Sequence, residues 1–138
     1  MTAILDTGFL YATFDADDQH HRRVNGLLAE LSDDIMLPTV VLVELSYLLH
    51  ARLGHDKMRQ IIRQVEQSPI PLLSLTKKDL RRVHTLLDQY ADMQLDFVDA
   101  AIVALAERLN IQRVLTVDRR DFLVIRPKHC SYFELLPV

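Results

Sequence analysis

Residues 96–118 read DFVDAAIVALAERLNIQRVLTVD, and this stretch decides the fold class. Its apolar first half predicts a helix from Asp96 to about Leu109. The short apolar segment Arg113–Val117 then predicts a buried strand, and Asp118 comes directly after that strand. Strands that alternate with helices in this way are typical of a mostly parallel sheet.

The same alternation runs through the rest of the chain. We predict strands at Thr2–Leu5, Ile35–Leu37, Pro71–Leu75, Arg113–Val117 and near Tyr132–Leu135. We predict the remaining helices at Gly8–Asp15, Gln19–Leu31, Val40–Leu53 with Thr39 as N-cap and Gly54 as stop, His55–Gln67, and from the cap Thr76 to about Ala91. The expected fold is therefore α/β, an α/β/α sandwich with a mostly parallel central sheet, formed by residues 1–138 as one domain.

Composition narrows the class of protein. The chain has 138 residues, of which 49% are hydrophobic and 25% charged, as in ordinary globular domains. A net charge of -3 argues against nucleic-acid binding through bulk charge alone. Cys130 is the only cysteine, the N-terminal stretch lacks a basic leader, and the apolar run Ala100–Ala106 is too short to span a membrane. We therefore expect a cytoplasmic protein that does not associate with membranes.

Four acidic residues lie against apolar segments, where carboxylates are normally excluded. They are Asp6, Glu44, Asp99 and Asp118. An unpaired charge that is removed from water costs several kcal/mol, so each position needs an explanation. A shared hard cation such as Mg²⁺ or Mn²⁺ binds through oxygen and supplies the missing countercharge. The pattern thus indicates a metal-dependent enzyme that acts on phosphates.

Helix capping is the alternative explanation for some of these acids. Asp6 and Asp118 each follow a predicted strand and could cap the next helix. Asp96 and Asp99 have the spacing of a capping box, in which Asp96 would be the cap and Asp99 would lie in the first turn. Both interpretations of these positions remain open from sequence alone, although we favour the cap only for Asp96.

Glu44 is harder to explain as a cap, because it lies in the middle of a predicted helix. The residues three and four positions away are apolar, which places Glu44 on an apolar face: Val40, Val41, Tyr47 and Leu48. A buried ion pair with Arg52 or with a more distant arginine is the alternative to a ligand role.

Several strings, taken in order, resemble one known family. They are ILDTGFL, VVLVELSYLL, DFVDAAIVALAERLNI, VLTVDRRDF and YFELLP. In this order and spacing they resemble the PIN-domain nucleases, and specifically the toxin ribonucleases of VapBC-type toxin–antitoxin pairs. The resemblance covers nearly the whole chain.

The resemblance carries expectations for the site. It implies a metal-dependent endoribonuclease whose catalytic and metal-binding acids are Asp6, Glu44, Asp99 and Asp118, with Mg²⁺ or Mn²⁺ as cofactor. It also implies an RNA substrate, a cognate antitoxin protein and a homodimer. The auxiliary residues are Thr7 and Thr116, which flank the first and fourth acids, and the additional acids Asp96 and Asp121. Arg119 and Arg120 directly follow Asp118, so we expect them to contact RNA phosphate.

Two other functions are weighed against this one. A phosphoryl-transfer or phosphatase-type enzyme would also place an Asp after a strand, but LDTGF lacks the Asp-x-Asp pair and no lysine accompanies the acids. A PIN scaffold that binds RNA without cleaving it would have no reason to keep buried carboxylates. The three glycines form no phosphate-binding loop, which excludes a Walker-type or Rossmann nucleotide site.

Overall fold

The computed structural model describes residues 1–138 and contains five strands and seven α-helices. The strands are β1 Thr2–Leu5, β2 Asp34–Pro38, β3 Leu72–Leu73, β4 Arg113–Leu115 and β5 Glu134–Leu136. The helices are α1 Thr7–Phe14, α2 His21–Glu30, α3 Thr39–Leu53, α4 His55–Gln67, α5 Lys77–Gln89, α6 Phe97–Leu109 and α7 Arg120–Val124, with a 3-10 turn at Ala91–Met93. The expected α/β/α sandwich is confirmed.

The sheet is parallel throughout, in the order β3-β2-β1-β4-β5. Strands β2 and β3 lie on one side of β1. The chain then crosses over β1, and β4 and β5 lie on its other side. Because such crossovers are right-handed, α1 to α4 cover one face of the sheet, and α5 and α6 cover the other. The reversal of strand order between β1 and β4 makes this pair the topological switch point, where open parallel sheets bind their ligands.

Burial explains why these segments take these conformations. The side chains of Ala3, Ile4 and Leu5 in β1 are all buried, as expected for a strand that is covered by helices on both faces. In α6 the whole run Ala100–Ala106 is buried, because that helix lies between the sheet and α5. No helix in the structure combines the length and the apolar character that crossing a bilayer requires.

Several boundaries differ from the predictions. Thr39 is the first residue of α3 rather than its cap, because β2 runs through Pro38 into the helix without a loop. The predicted strands Pro71–Leu75 and Arg113–Val117 pair over fewer residues, and the predicted ends of α1, α2 and β5 shift by one or two. The stop at Gly54 is confirmed, and its φ of 92° favours glycine there. Helix α7 and the 3-10 turn were not predicted, because segments this short show no hydrophobic period.

Candidate active site

The candidate site lies at the carboxyl ends of β1 and β4. Leu5 of β1 and Leu115 of β4 are register partners, and the backbone N–H of Asp6 donates to the Leu115 carbonyl at 3.0 Å. Asp6 and Thr116 therefore leave the two central strands side by side. Because β1 and β4 pair in parallel, the polar residues that follow the two strands form one site at the switch point.

Asp6 is buried and held at both carboxylate oxygens. Its Oδ1 accepts the backbone N–H of Thr7 at 2.8 Å, and its Oδ2 accepts the Thr116 hydroxyl at 2.7 Å. The Thr116 hydroxyl in turn accepts the backbone N–H of Asp118 at 3.2 Å. The bond to Thr7 is the predicted cap of α1, so capping and a place in the site coexist in one side chain.

The environment of Asp6 disfavours its charged form. Burial raises the pKa of this carboxyl from 3.8 to about 6, although the hydrogen bonds from Thr116 and Thr7 lower it. The negative charges of Glu44 and Asp96 raise the pKa further, and this places both side chains within electrostatic range of Asp6. No basic side chain pairs with Asp6.

Asp99, in the first turn of α6, has the most strongly perturbed carboxyl of the site. Burial raises its pKa well above the ordinary range, and the negative charges of Asp6, Asp96 and Asp121 raise it further. Asp96 is the N-cap of α6, as predicted, because its Oδ1 accepts the Asp99 backbone N–H at 2.8 Å. Asp99 itself caps nothing, so its half-buried position is not explained by helix capping.

Glu44 projects from α3 between core positions. Val41 and Leu45 on the same helix are buried, whereas Glu44 is half-buried and has neither a hydrogen-bond partner nor an ion-pair partner. The alternative pairing with Arg52 is not formed, because that guanidinium lies over the Tyr11 ring, 4.9 Å from its centroid. Glu44 thus contributes an uncompensated charge to the site.

The structure separates the two acids that follow β4. The Asp118 side chain is 60% exposed and makes only a 3.4 Å contact with Arg120. It does not cap α7, which begins at Arg120 without a side-chain cap. Asp121 instead lies near Asp99, close enough for its negative charge to raise the pKa of the Asp99 carboxyl. Of the two acids that follow β4, Asp121 rather than Asp118 therefore acts on the Asp99 carboxyl.

The two predicted RNA-binding arginines have different surroundings. One guanidinium nitrogen of Arg119 donates to the carbonyl oxygens of Leu135 at 3.2 Å and Pro137 at 2.7 Å, which ties α7 to the end of β5. The Arg120 side chain is 88% exposed. Of this pair, only Arg120 is free to contact a ligand.

Comparison with known proteins places this geometry in a family. The PIN domain family matches residues 3–126. The chain belongs to the PIN-domain family. It is 30% identical over 134 residues to ribonuclease VapC26 of Mycobacterium tuberculosis, covering 97% of this chain and 99% of that protein. The predicted resemblance to VapC-like PIN proteins is thereby confirmed.

Solved structures share the fold at lower identity. Mycobacterium tuberculosis VapC20, described as a Sarcin-Ricin loop cleaving toxin, superposes with a TM-score of 0.79 at 23% identity, covering 85% of this chain and 90% of that one. VapBC2 from Rickettsia felis, bound to a promoter DNA fragment, superposes with a TM-score of 0.71 at 17% identity and 98% coverage of both chains. These likenesses confirm the PIN-like architecture.

The polar atoms of this PIN site fit a hard divalent cation. Carboxylate oxygens surround the switch point, and the buried Thr7 hydroxyl, next to Asp6, has no hydrogen-bond partner. No three acidic, histidine or cysteine side chains converge closely enough to ligate one ion together. Mg²⁺ is commonly held by one or two carboxylates and several waters, so Asp6 and Asp99 provide a suitable donor set.

Two features of this PIN site were missed from sequence. The proximity of Asp121 to Asp99 depends on α7, a five-residue helix too short to show a hydrophobic period in the sequence. Phe97, beside Asp96, was assigned no role, yet its side chain is exposed at the start of α6. Its position next to the predicted cap was the only available signal.

Proposed function

We propose that this protein is a metal-dependent endoribonuclease that hydrolyses RNA phosphodiester bonds, and that it is the toxin of a toxin–antitoxin pair. The observation that carries the proposal is the pair Asp6, which is buried, and Asp99, which is half-buried. Both carboxyls have raised pKa values and no basic partner, and both lie at the switch point of the sheet. A fold tolerates such a pair when a ligand supplies positive charge. Membership of the PIN family and the similarity to a ribonuclease support RNA as the substrate.

The cofactor we propose is Mg²⁺ or Mn²⁺, held by Asp6 and Asp99 and completed by Glu44 and Asp118 directly or through water. When bound, the metal supplies activation of a water molecule and neutralisation of the charge that develops on phosphate. Asp121 is an auxiliary group in this scheme, because its charge lies close to Asp99.

The protein's own residues hold the reacting groups in place. Thr116 and the backbone N–H of Thr7 fix the orientation of Asp6 through one hydrogen bond to each oxygen. Asp96 anchors the first turn of α6 and so positions Asp99. The exposed guanidinium of Arg120 lies next to Asp118 and is placed to bind an RNA phosphate.

The proposed partners follow from the relatives. Solved neighbours include VapBC2 of Rickettsia felis and a toxin–antitoxin complex from Klebsiella pneumoniae. We propose that this chain likewise binds a cognate antitoxin protein, forms a homodimer and acts in the cytoplasm. Of the two rival functions, the phosphoryl-transfer enzyme is disfavoured by PIN membership. The non-cleaving scaffold is disfavoured by the carboxyls retained at the switch point, of which Asp6 is buried.

The test is cleavage of a mixed pool of structured RNA by the purified protein, with Mg²⁺, with Mn²⁺ and with excess chelator. The wild type is compared with Asp99→Asn and with the control Asp96→Asn, in which the amide retains the capping oxygen. We expect cleavage that needs both metal and Asp99 and that largely survives Asp96→Asn. Cleavage in chelator, or cleavage unaffected by Asp99→Asn, would contradict the proposal.

A further inference from the structure

Phe97 is an aromatic side chain with no place in the core. Phe97 is the first residue of α6, and the residue as a whole is 44% exposed. By contrast, Phe9, Phe122 and Phe133 are at most 4% exposed. The nearby Val98 packs against the core, so the segment is anchored while the Phe97 ring is left at the surface. An exposed ring at this position contributes little to folding.

The position of Phe97 puts its ring at the rim of the carboxylate site. It is flanked by the cap Asp96 and lies two residues before Asp99. In an α-helix the Cα–Cβ bonds tilt toward the N-terminus, so a side chain at the first position reaches beyond the end of the helix. The N-terminus of α6 is the end that carries the acids. The ring therefore lies at the same end of α6 as the acids.

The charges around this cleft provide little binding energy for RNA. The chain carries a net charge of -3, and Asp6, Glu44 and Asp99 lack basic partners. Arg119 is engaged by backbone carbonyls, which leaves Arg120 as the free cation beside Asp118. A contact with a base rather than a phosphate would supplement this weak attraction, and aromatic rings supply such contacts through stacking.

We propose that Phe97 stacks on a nucleobase next to the scissile phosphate and so positions single-stranded RNA in the site. This inference rests on the proposed ribonuclease function and deepens it by naming a substrate-binding residue. Stacking of one base on an aromatic ring corresponds to roughly a 5- to 150-fold change in Kd. Because every base has an aromatic face, the contact orients the strand without selecting its sequence.

The absence of tryptophan from the chain provides a direct test. In Phe97→Trp the only indole lies at the proposed stacking position. The control is Tyr132→Trp, at an exposed position that precedes β5 and therefore lies at the opposite, amino-terminal edge of the sheet. Both are made in an Asp6→Asn background, which prevents metal-dependent cleavage. Each is titrated with a ten-nucleotide oligoadenylate and with an abasic strand of the same length, in Mg²⁺.

We expect oligoadenylate to quench the fluorescence of Phe97→Trp but not that of Tyr132→Trp, and the abasic strand to leave both unchanged. In the otherwise wild-type enzyme, Phe97→Ala and Phe97→Leu should raise KM for RNA by 5-fold or more with kcat nearly unchanged. Phe97→Tyr, which retains the ring, should restore the wild-type KM. Unfolding in urea should be similar for all three variants, since the side chain is exposed.

Three results would overturn the inference in distinguishable ways. If labelled oligoadenylate binds the protein, by anisotropy, while Phe97→Trp is not quenched, the stacking contact is wrong and the ribonuclease function stands. Quenching of Phe97→Trp that depends on protein concentration alone would assign the ring to a protein interface instead. If neither wild type nor variants bind or cleave RNA, the proposed function fails together with the stacking contact.

Discussion

Replacing Asp6 with asparagine should stabilise the metal-free protein. The Asp6 carboxyl is 6% exposed and has its pKa raised to about 6 by burial, so ionising it in the folded state costs free energy. The amide of Asp6→Asn carries no charge and keeps both hydrogen bonds. Its oxygen accepts the Thr7 N–H, and its NH₂ donates to the Thr116 hydroxyl, which can turn toward the Asp118 carbonyl 2.9 Å away.

The size of the effect follows from the pKa. A rise from 3.8 to about 6 corresponds to about 3 kcal/mol, at roughly 1.4 kcal/mol for each pH unit. The carboxyl binds its proton more tightly in the folded than in the unfolded state, so the wild type loses stability as pH rises through this range. The gain in the free energy of unfolding of Asp6→Asn over the wild type is therefore nearly absent below about pH 4. It grows between about pH 4 and 6 and is constant above that. For a chain of this length it raises Tm by about 6–10 °C.

The assay is urea unfolding at pH 8 and at pH 4 in the presence of chelator, with the wild type, Asp6→Asn and the control Asp92→Asn. Asp92 is exposed and makes no hydrogen bond, so its substitution should change the free energy of unfolding by less than about 0.5 kcal/mol. Adding Mg²⁺ should stabilise the wild type and narrow its gap to Asp6→Asn. The reasoning is refuted if Asp6→Asn is no more stable than the wild type at pH 8. It is also refuted if the gain in the free energy of unfolding is the same at pH 4 as at pH 8.

Three further predictions follow from the contacts. Thr116→Val removes the hydroxyl that lowers the pKa of Asp6, so Mg²⁺ binding, measured by calorimetry, should require a higher pH than in wild type. Arg119→Ala loses two hydrogen bonds to carbonyl oxygens and should lower the free energy of unfolding, measured in urea, by about 1–3 kcal/mol. Arg120→Ala should leave the free energy of unfolding unchanged, but it should weaken RNA binding and reduce the salt dependence of that binding. Arg113→Met leaves a buried carboxylate unpaired and should cost about 3–5 kcal/mol; a change below 1 kcal/mol would contradict this.

Local pattern was sufficient to predict the framework of this fold. The apolar run of β1 followed by Asp6, and the apolar helix that starts at Asp96, are signals contained within a few neighbouring residues. Asp99 was identified for the same reason, since a carboxylate in an apolar run is conspicuous in sequence. The predictions of β1, of the helix α6 and of Asp99 as a candidate residue needed only the spacing of polar and apolar residues along one element.

The rest of the site depends on contacts between distant segments, which sequence spacing does not encode. Arg119 was expected to bind RNA, but its guanidinium is used by carbonyls sixteen and eighteen residues further along the chain. The sequence does not reveal that Asp121 lies near Asp99, because the short helix α7 that brings it there has no hydrophobic period. In both cases the deciding partner is fixed only by tertiary packing.

The hydrogen bond between Thr116 and Asp6 joins residues 110 positions apart, and this has a consequence for synthesis. Strand β1 is made early, yet it is the centre of the sheet and lacks its β4 neighbour until almost all of the intervening chain exists. Parallel pairings over such separations form late and slowly. A nascent chain on the ribosome therefore carries Asp6 without its orienting hydroxyl, and any cleavage of RNA must wait until the segment that contains β4 has emerged and paired.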